Sequence, residues 1–255
     1  MLLAIDTSTS WASLALVDGA TVRAVRSWAV GQQHSVQIFG AIDVLLDAAG
    51  TTRDTITAIG VATGPGSFNG LRVAVTVAKT LAFVWGVPVV GVTSLAALAQ
   101  AYALQDGSEA AEKSVLAVLE AGRDELYVGW YNLKNDVLVM QQEGDIAIAS
   151  LRADDAAWDV LNGRSVVITG ELTEPHRAAL VASLAERGSV ATLATPLAAP
   201  DRALGVATLA QAQIALGITS NLLTLEPTYV RRPNISTSTR HVIPGPPVGE
   251  GNAAR

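Results

Sequence analysis

Gly64-Pro65-Gly66-Ser67-Phe68-Asn69-Gly70-Leu71-Arg72 is the stretch whose reading decides the fold. Before it, Ile56 to Ala62 is a short apolar run that reads as a buried strand. After it, Leu71 to Trp85 is an apolar run of helical length. The order is strand, glycine loop, helix. Three glycines in seven residues permit positive φ and a close approach by another segment. Asn69-Gly70 can close the loop, and the helix behind it then turns its free N–H groups toward whatever lies in front. A Walker A loop is excluded, because Leu71-Arg72 stands where Lys-Ser/Thr would follow the last glycine. The dinucleotide spacing Gly-x-Gly-x-x-Gly is absent too, since this loop reads Gly64-x-Gly66-x-x-x-Gly70. A tight strand-to-helix connection without a ligand explains the glycines equally well.

The chain of 255 residues is long enough for one large domain or two small ones with a sizeable core. Half of it is apolar and only 16% is charged, which leaves little charge to coat a monomer and predicts a covered apolar surface. A net charge of −6 argues against a sequence-independent grip on nucleic acid. The absence of cysteine excludes disulfides, thiolate zinc sites and thiol nucleophiles. Met1-Leu2-Leu3-Ala4-Ile5 lacks a basic leader and Asp6 interrupts the apolar run, so a cytoplasmic location is expected. The uncharged run from Lys79 to Asp106 has the length of a membrane span, but Gly86, Pro88 and Gly91 cut it into helix, strand and helix. No contact with a membrane is expected.

Read in order, Leu2 to Ile5 is a buried strand, followed by the hydroxyl-rich turn Asp6-Thr7-Ser8-Thr9-Ser10. Ala12 to Val17 and Thr21 to Trp28 form a hairpin around Asp18-Gly19. Ser35 can cap a helix with Ile38, Phe39, Ile42, Leu45, Leu46 and Ala49 on its apolar face and Gly50 as its stop. The glycine loop and its helix come next, then a strand at Val87 to Val92 and a helix from Ser94 to Tyr102. Past the polar stretch Gly107 to Lys113 the pattern partly repeats. Val115 to Leu119, Leu126 to Leu133 and Val137 to Gln141 read as strands, with a turn at Lys134-Asn135-Asp136. Ser150 to Leu161 reads as a helix, Val166 to Thr169 as a strand, and a further helix starts at Thr173 or Glu174. Arg202 to Leu216 is the last helix. The repetition predicts a duplicated α/β protein: a first lobe over 1–106, a degenerate second lobe over 107–224, and a C-terminal segment over 225–255, mobile after about 240.

Few residues suggest chemistry. Asp6, with Thr7 and Ser8 behind a buried strand, is where a metal or phosphate could sit, although a self-capped turn needs no ligand. The second repeat has Glu120-Ala121-Gly122-Arg123 there, so a clamp of two matching phosphate loops does not form. His34, His176 and His241 show no metal-ligand spacing, and no Gly-x-Ser-x-Gly elbow occurs. Arg72 opens its helix, where the dipole disfavours a cation, so a salt bridge to Glu120 or Asp124 is one expectation and an interdomain role another. Arg231, Arg232 and Arg240 form a small basic tail that is expected to be solvated.

Several of these residues together resemble one family. They are Leu3-Ala4-Ile5-Asp6-Thr7-Ser8-Thr9, His34-Ser35, the glycine stretch with Ala78-Lys79, Gly91-Val92-Thr93-Ser94-Leu95, and Pro227-x-Tyr229-x-Arg231. The pattern is similar to the TsaB (YeaZ) family of bacterial tRNA threonylcarbamoyladenosine biosynthesis proteins, densely over residues 1–100 and thinly beyond. It departs at Asn69, where the family usually has Thr, and at Glu120-Ala121-Gly122-Arg123, where the family commonly shows Asp-Ala-Arg. The resemblance implies an α/β, duplicated actin-like (ASKHA, ribonuclease H-like) fold of two lobes. It implies a scaffold without catalysis of its own, for a TsaD-like paralogue that carries the metal site and transfers the threonylcarbamoyl group to tRNA. A TsaE-like ATPase joins the assembly, the chain alone forms a homodimer, and tRNA is reached only through the complex. No firm cofactor follows; a nucleotide belongs only at the complex interface. The rivals are a small-molecule kinase or ATPase of the same fold, and a glycoprotease-like peptidase.

The helix after the loop carries two apolar stripes. Leu71, Ala74, Val75, Ala78, Leu81, Ala82 and Trp85 follow the rhythm of a core face. Val73, Val77, Thr80 and Val84 form a second stripe. With Ile38, Ile42 and Leu45 of the preceding helix, that stripe is the expected partner surface. Gly64, Gly66, Gly70 and Arg72 are expected to be structural parts of the loop.

Overall fold

A computed structural model describes residues 1–30, 34–106, 113–122, 124–134, 137–140, 149–151, 161–194 and 201–230. The first half contains β1 (Leu2–Asp6), β2 (Trp11–Asp18), β3 (Thr21–Ala29), α1 (His34–Ala48), β4 (Ala58–Gly64), α2 (Phe68–Trp85), β5 (Val89–Thr93) and α3 (Ser94–Asp106). The second half contains β6 (Lys113–Gly122), β7 (Glu125–Lys134), β8 (Val137–Met140), β9 (Ala149–Leu151), β10 (Ser165–Glu171), α4 (Glu174–Glu186), β11 (Val190–Leu193) and α5 (Asp201–Ala215).

Two mixed sheets result. The first runs β3-β2-β1-β4-β5, with β1–β2 and β2–β3 antiparallel and β1–β4 and β4–β5 parallel. The second runs β11-β10-β6-β7-β8, with β9 on β7; β6–β7 and β7–β8 are antiparallel, and β6–β10 and β10–β11 parallel. The second sheet is the first one repeated, as the sequence pattern predicts. The central strands β1 and β4 are buried throughout because helices cover both faces of their sheet, which is why they read as unbroken apolar runs. The outer strand β3 has no fully buried residue.

The helices form layers. Ile38, Ile42 and Leu45 of α1 and Ala74, Val77 and Leu81 of α2 pack with Leu3, Ile5, Leu14 and Ile59 on one face of the first sheet. The other face, at Leu2, Ala4, Ala15 and Val90, packs on Ala203, Val206 and Ala207 of α5 and on Ala97 of α3. α3 also buries Leu95, Leu98 and Tyr102 against Val115, Ala117, Tyr127 and Tyr131 of the second sheet. α4 covers the far face of that sheet through Leu180 and Leu184. α3 and α5 thus fill the space between the sheets.

α5 falls within 107–224, yet it packs on the sheet of the first lobe. The segment after it stays there: Ser220 N donates to Val89 O at 2.8 Å and Thr228 N to Thr63 O at 2.7 Å. Ser150 and Leu151, expected to open a helix, belong to β9 instead. The rest of that expected helix lies outside the described residues, except Leu161. The same holds for the linker at 107–112, for Asn135 and Asp136, and for the tail from 231 with Arg231, Arg232 and Arg240. The uncharged run after Lys79 divides into the end of α2, β5 and α3, and no helix among the described residues is long and apolar enough to cross a membrane.

Candidate functional site

In α/β sheets of this kind, ligands bind beyond the carboxyl ends of the parallel strands. Here β1 ends on Asp6, and the turn that follows is closed by its own groups. Asp6 Oδ1 accepts from Ser8 N at 2.8 Å and from Ser8 Oγ at 2.6 Å. Thr7 Oγ1 donates to Gly70 O at 2.6 Å. Asp6, Thr7 and Ser8, the candidates for a bound phosphate or metal, are all buried. The other carboxylate oxygen, Asp6 Oδ2, lies 3.4 Å from Nε of Arg202, a buried cation near the start of α5.

The glycine loop packs directly on this turn. Ser67 N donates to Ser8 O at 2.6 Å, and Ser67 Oγ accepts from Gly70 N at 3.3 Å as the cap of α2. Gly66 has φ +154°, and a Cβ there would collide with Ser8 O; a Cβ on Gly70 would collide with Thr7 O. Gly64 lies against Thr228 of the C-terminal segment. The loop is a joint between β1, β4 and α2, and its capping groups already have partners within the chain. Arg72 is exposed and makes no ion pair with Glu120 or Asp124: its guanidinium stands 5.4 Å over the Phe68 ring, which packs against Tyr229 at 4.9 Å. Stacking on an aromatic face replaces the expected salt bridge.

Across the crevice, the second lobe presents a different set. Glu120 Oε2 is 2.6 Å from His176 Nδ1, Asp124 Oδ1 is 3.3 Å from His176 Nε2, and Thr173 N donates to Glu120 Oε1 at 2.7 Å. Burial disfavours the charged imidazole, but the hydrogen bond and charge of Glu120, then those of Asp124, outweigh it and raise the His176 pKa above its ordinary 6.5. The carboxylates flank the ring instead of converging on a point, and no group of three or more His, Asp or Glu side chains among the described residues could hold a metal ion.

The expected partner surface divides in two. Ile38, Ile42, Leu45 and Val77 are buried in the core of the first lobe, which corrects their assignment to an outward face. α1 and α2 lie side by side on one sheet, so these side chains point at each other and at the strands. Val73 is half-buried, whereas Thr80 and Val84 are exposed. Phe39 at 48% and Val44 at 46% exposure on α1, and Phe83 at 76% and Val84 at 63% on α2, stand in solvent.

Sequence reasoning missed Arg202, Glu171 and the grouping of His176 with Glu120. A signal existed for Arg202, the one cation of a helix whose only other charged residue is Asp201. Nothing in sequence spacing could have joined Glu120 to His176.

A family model described as TsaD, tRNA N6-adenosine threonylcarbamoyltransferase, matches residues 28–186. The tRNA threonylcarbamoyladenosine biosynthesis protein TsaB of Bacillus subtilis is 32% identical over 198 residues, which span 76% of this chain and 80% of that protein. Among solved structures, YeaZ from Pseudomonas aeruginosa superposes with a TM-score of 0.69 at 27% identity, over 89% of this chain and 98% of that one. A ROK hexokinase from Thermus thermophilus shares the fold alone, with a TM-score of 0.52 at 14% identity over 85% of this chain and 99% of that one.

Proposed function

The chain belongs to the TsaB family of the TsaD-like superfamily, with its duplicated actin-like fold, and from that premise we propose that it is a non-catalytic scaffold subunit in tRNA threonylcarbamoyladenosine formation. Its role is to bind and activate a TsaD-like catalytic paralogue. The observation that carries this reading is the number of large apolar side chains that α1 and α2 leave in solvent: Phe39, Val44, Phe83 and Val84. Large apolar side chains left in water favour burial against a partner. A paralogue with the same duplicated fold offers a matching pair of helices, and a second copy of this chain offers another. We therefore also propose a homodimer through these helices when the paralogue is absent. A TsaE-like ATPase then joins the heterodimer, any nucleotide sits at the interface of that complex, and tRNA is engaged through the complex in the cytoplasm.

The kinase reading is disfavoured by the Asp6 turn, whose carboxylate and hydroxyls are held by Ser8, Gly70 and Arg202 of the same chain. The test is reconstitution with purified components: this chain, a TsaD-like partner, a TsaE-like ATPase, an activated threonylcarbamoyl donor and tRNA. Modification is expected only when chain and partner are both present. Modification by this chain alone, or full modification by the other components without it, would refute the proposal.

A further inference from the structure

Arg202 is 2% exposed and sits second in α5, where the helix dipole disfavours a positive charge. A buried guanidinium must be matched by acceptors, and these acceptors come from both halves of the molecule. Nε lies 3.4 Å from Asp6 Oδ2 at the end of β1, and Nη2 donates to Trp11 O at 2.8 Å at the start of β2. Nη1 donates to Glu171 at the end of β10, in the second sheet. Glu171 also accepts from Thr9 Oγ1 at 3.1 Å, a second crossing from the Asp6 turn. The planar fork of Arg holds its donors in fixed directions toward separate acceptors, whereas the three donors of a lysine radiate from one nitrogen.

We propose that Arg202 is a latch across the crevice, tying Asp6 of the first lobe to Glu171 of the second, so that the lobes keep one closure. Asp6 Oδ2 and Arg202 Nε face each other as a buried ion pair without a hydrogen bond, and a cation-bridged phosphate at these strand ends would compete with the guanidinium for Asp6 and Glu171. A ligand entering between these strand ends would have to part Arg202 from Glu171 and Thr9 from Glu171, contacts that the chain makes within itself. The apolar side of the same boundary is also packed. α3 buries Leu95 and Leu98 on the second sheet and Ala97 against the first. Tyr131 of β7 packs at the same boundary with Leu95 and Leu98, and burial pushes its phenol up to about 12, so it stays neutral over the ordinary pH range. Closure is thus a property of this chain alone and does not depend on its role in tRNA modification.

The test is amide hydrogen exchange of the full chain as wild type, Arg202→Met and Glu171→Gln, each with and without Mg·ATP. Both variants are expected to speed exchange at residues 6–11 and 170–173 by about tenfold or more, the loss of a charge-assisted hydrogen bond, while α4 is unchanged. Mg·ATP is expected to leave the wild type unaltered. Glu171 is partly exposed, so Glu171→Gln folds and decides the matter even if Arg202→Met does not. Unchanged exchange at both stretches in Glu171→Gln, or protection of the wild-type crevice by Mg·ATP, overturns the latch. Neither result bears on whether the chain supports tRNA modification.

Discussion

Gly66 and Gly70 show how one residue type can hold a joint together. A Cβ at Gly66 meets both a φ of +154° and Ser8 O, and at Gly70 it meets Thr7 O. Gly66→Ala and Gly70→Ala are each expected to lower stability by about 1 kcal/mol or more, measured by thermal melting, because the backbone or the Asp6 turn must shift. Asn69 in the same loop is exposed, so Asn69→Thr is expected to change stability by less than about 0.5 kcal/mol. Equal melts for all three variants would show that the loop is not tightly packed. At His176, folding raises the pKa above 6.5 through Glu120 and Asp124. The sign follows from linkage: a group with a raised pKa stabilises the fold below its unfolded value, and that contribution fades as pH climbs through the folded value. The stability gap between wild type and His176→Gln is therefore expected to be widest below pH 6.5 and to narrow as pH rises above it. A gap that grows toward alkaline pH contradicts this assignment.

At the scale of the element, α2 is the informative helix. Ser67 caps its start and Gly86, at φ 66°, ends it, so its limits follow from local chemistry. Its faces do not. Val77 and Val84 belong to one stripe on a helical wheel, but the core of the lobe covers Val77, while Val84 is 63% exposed. Val77→Arg is expected to unfold the lobe, losing about 1.5–3 kcal/mol of burial and leaving a charge buried without a partner. Val84→Arg is expected to keep stability within about 0.5 kcal/mol of wild type yet abolish both homodimer and heterodimer in sedimentation. Retention of both assemblies by Val84→Arg, with Phe83→Arg behaving alike, would place the partner surface elsewhere.

At the scale of the whole molecule, the path of α5 matters most. It leaves the second repeat and covers the first sheet with Ala203, Val206, Ala207 and Ala210. A truncated chain ending at residue 200 exposes that face, so it is expected to lose cooperative melting or aggregate, although both sheets remain encoded. A sharp melt of the truncated chain, near the wild-type temperature, would show that the first lobe stands without α5. Apolar runs, turn residues and caps were enough to read the two repeats, the strand-loop-helix joint and the β2–β3 hairpin, because these depend on neighbours close in the chain. They also pointed to Asp6, Gly66 and Gly70, since a turn and a tight loop leave a mark in residue type. Only tertiary structure could bring Arg202 to Asp6 and Glu171, seat His176 between Glu120 and Asp124, and bury Val77 while exposing Val84. Each of these depends on which distant segment arrives at a given face, and helical or strand periodicity says that a face is apolar without saying what covers it.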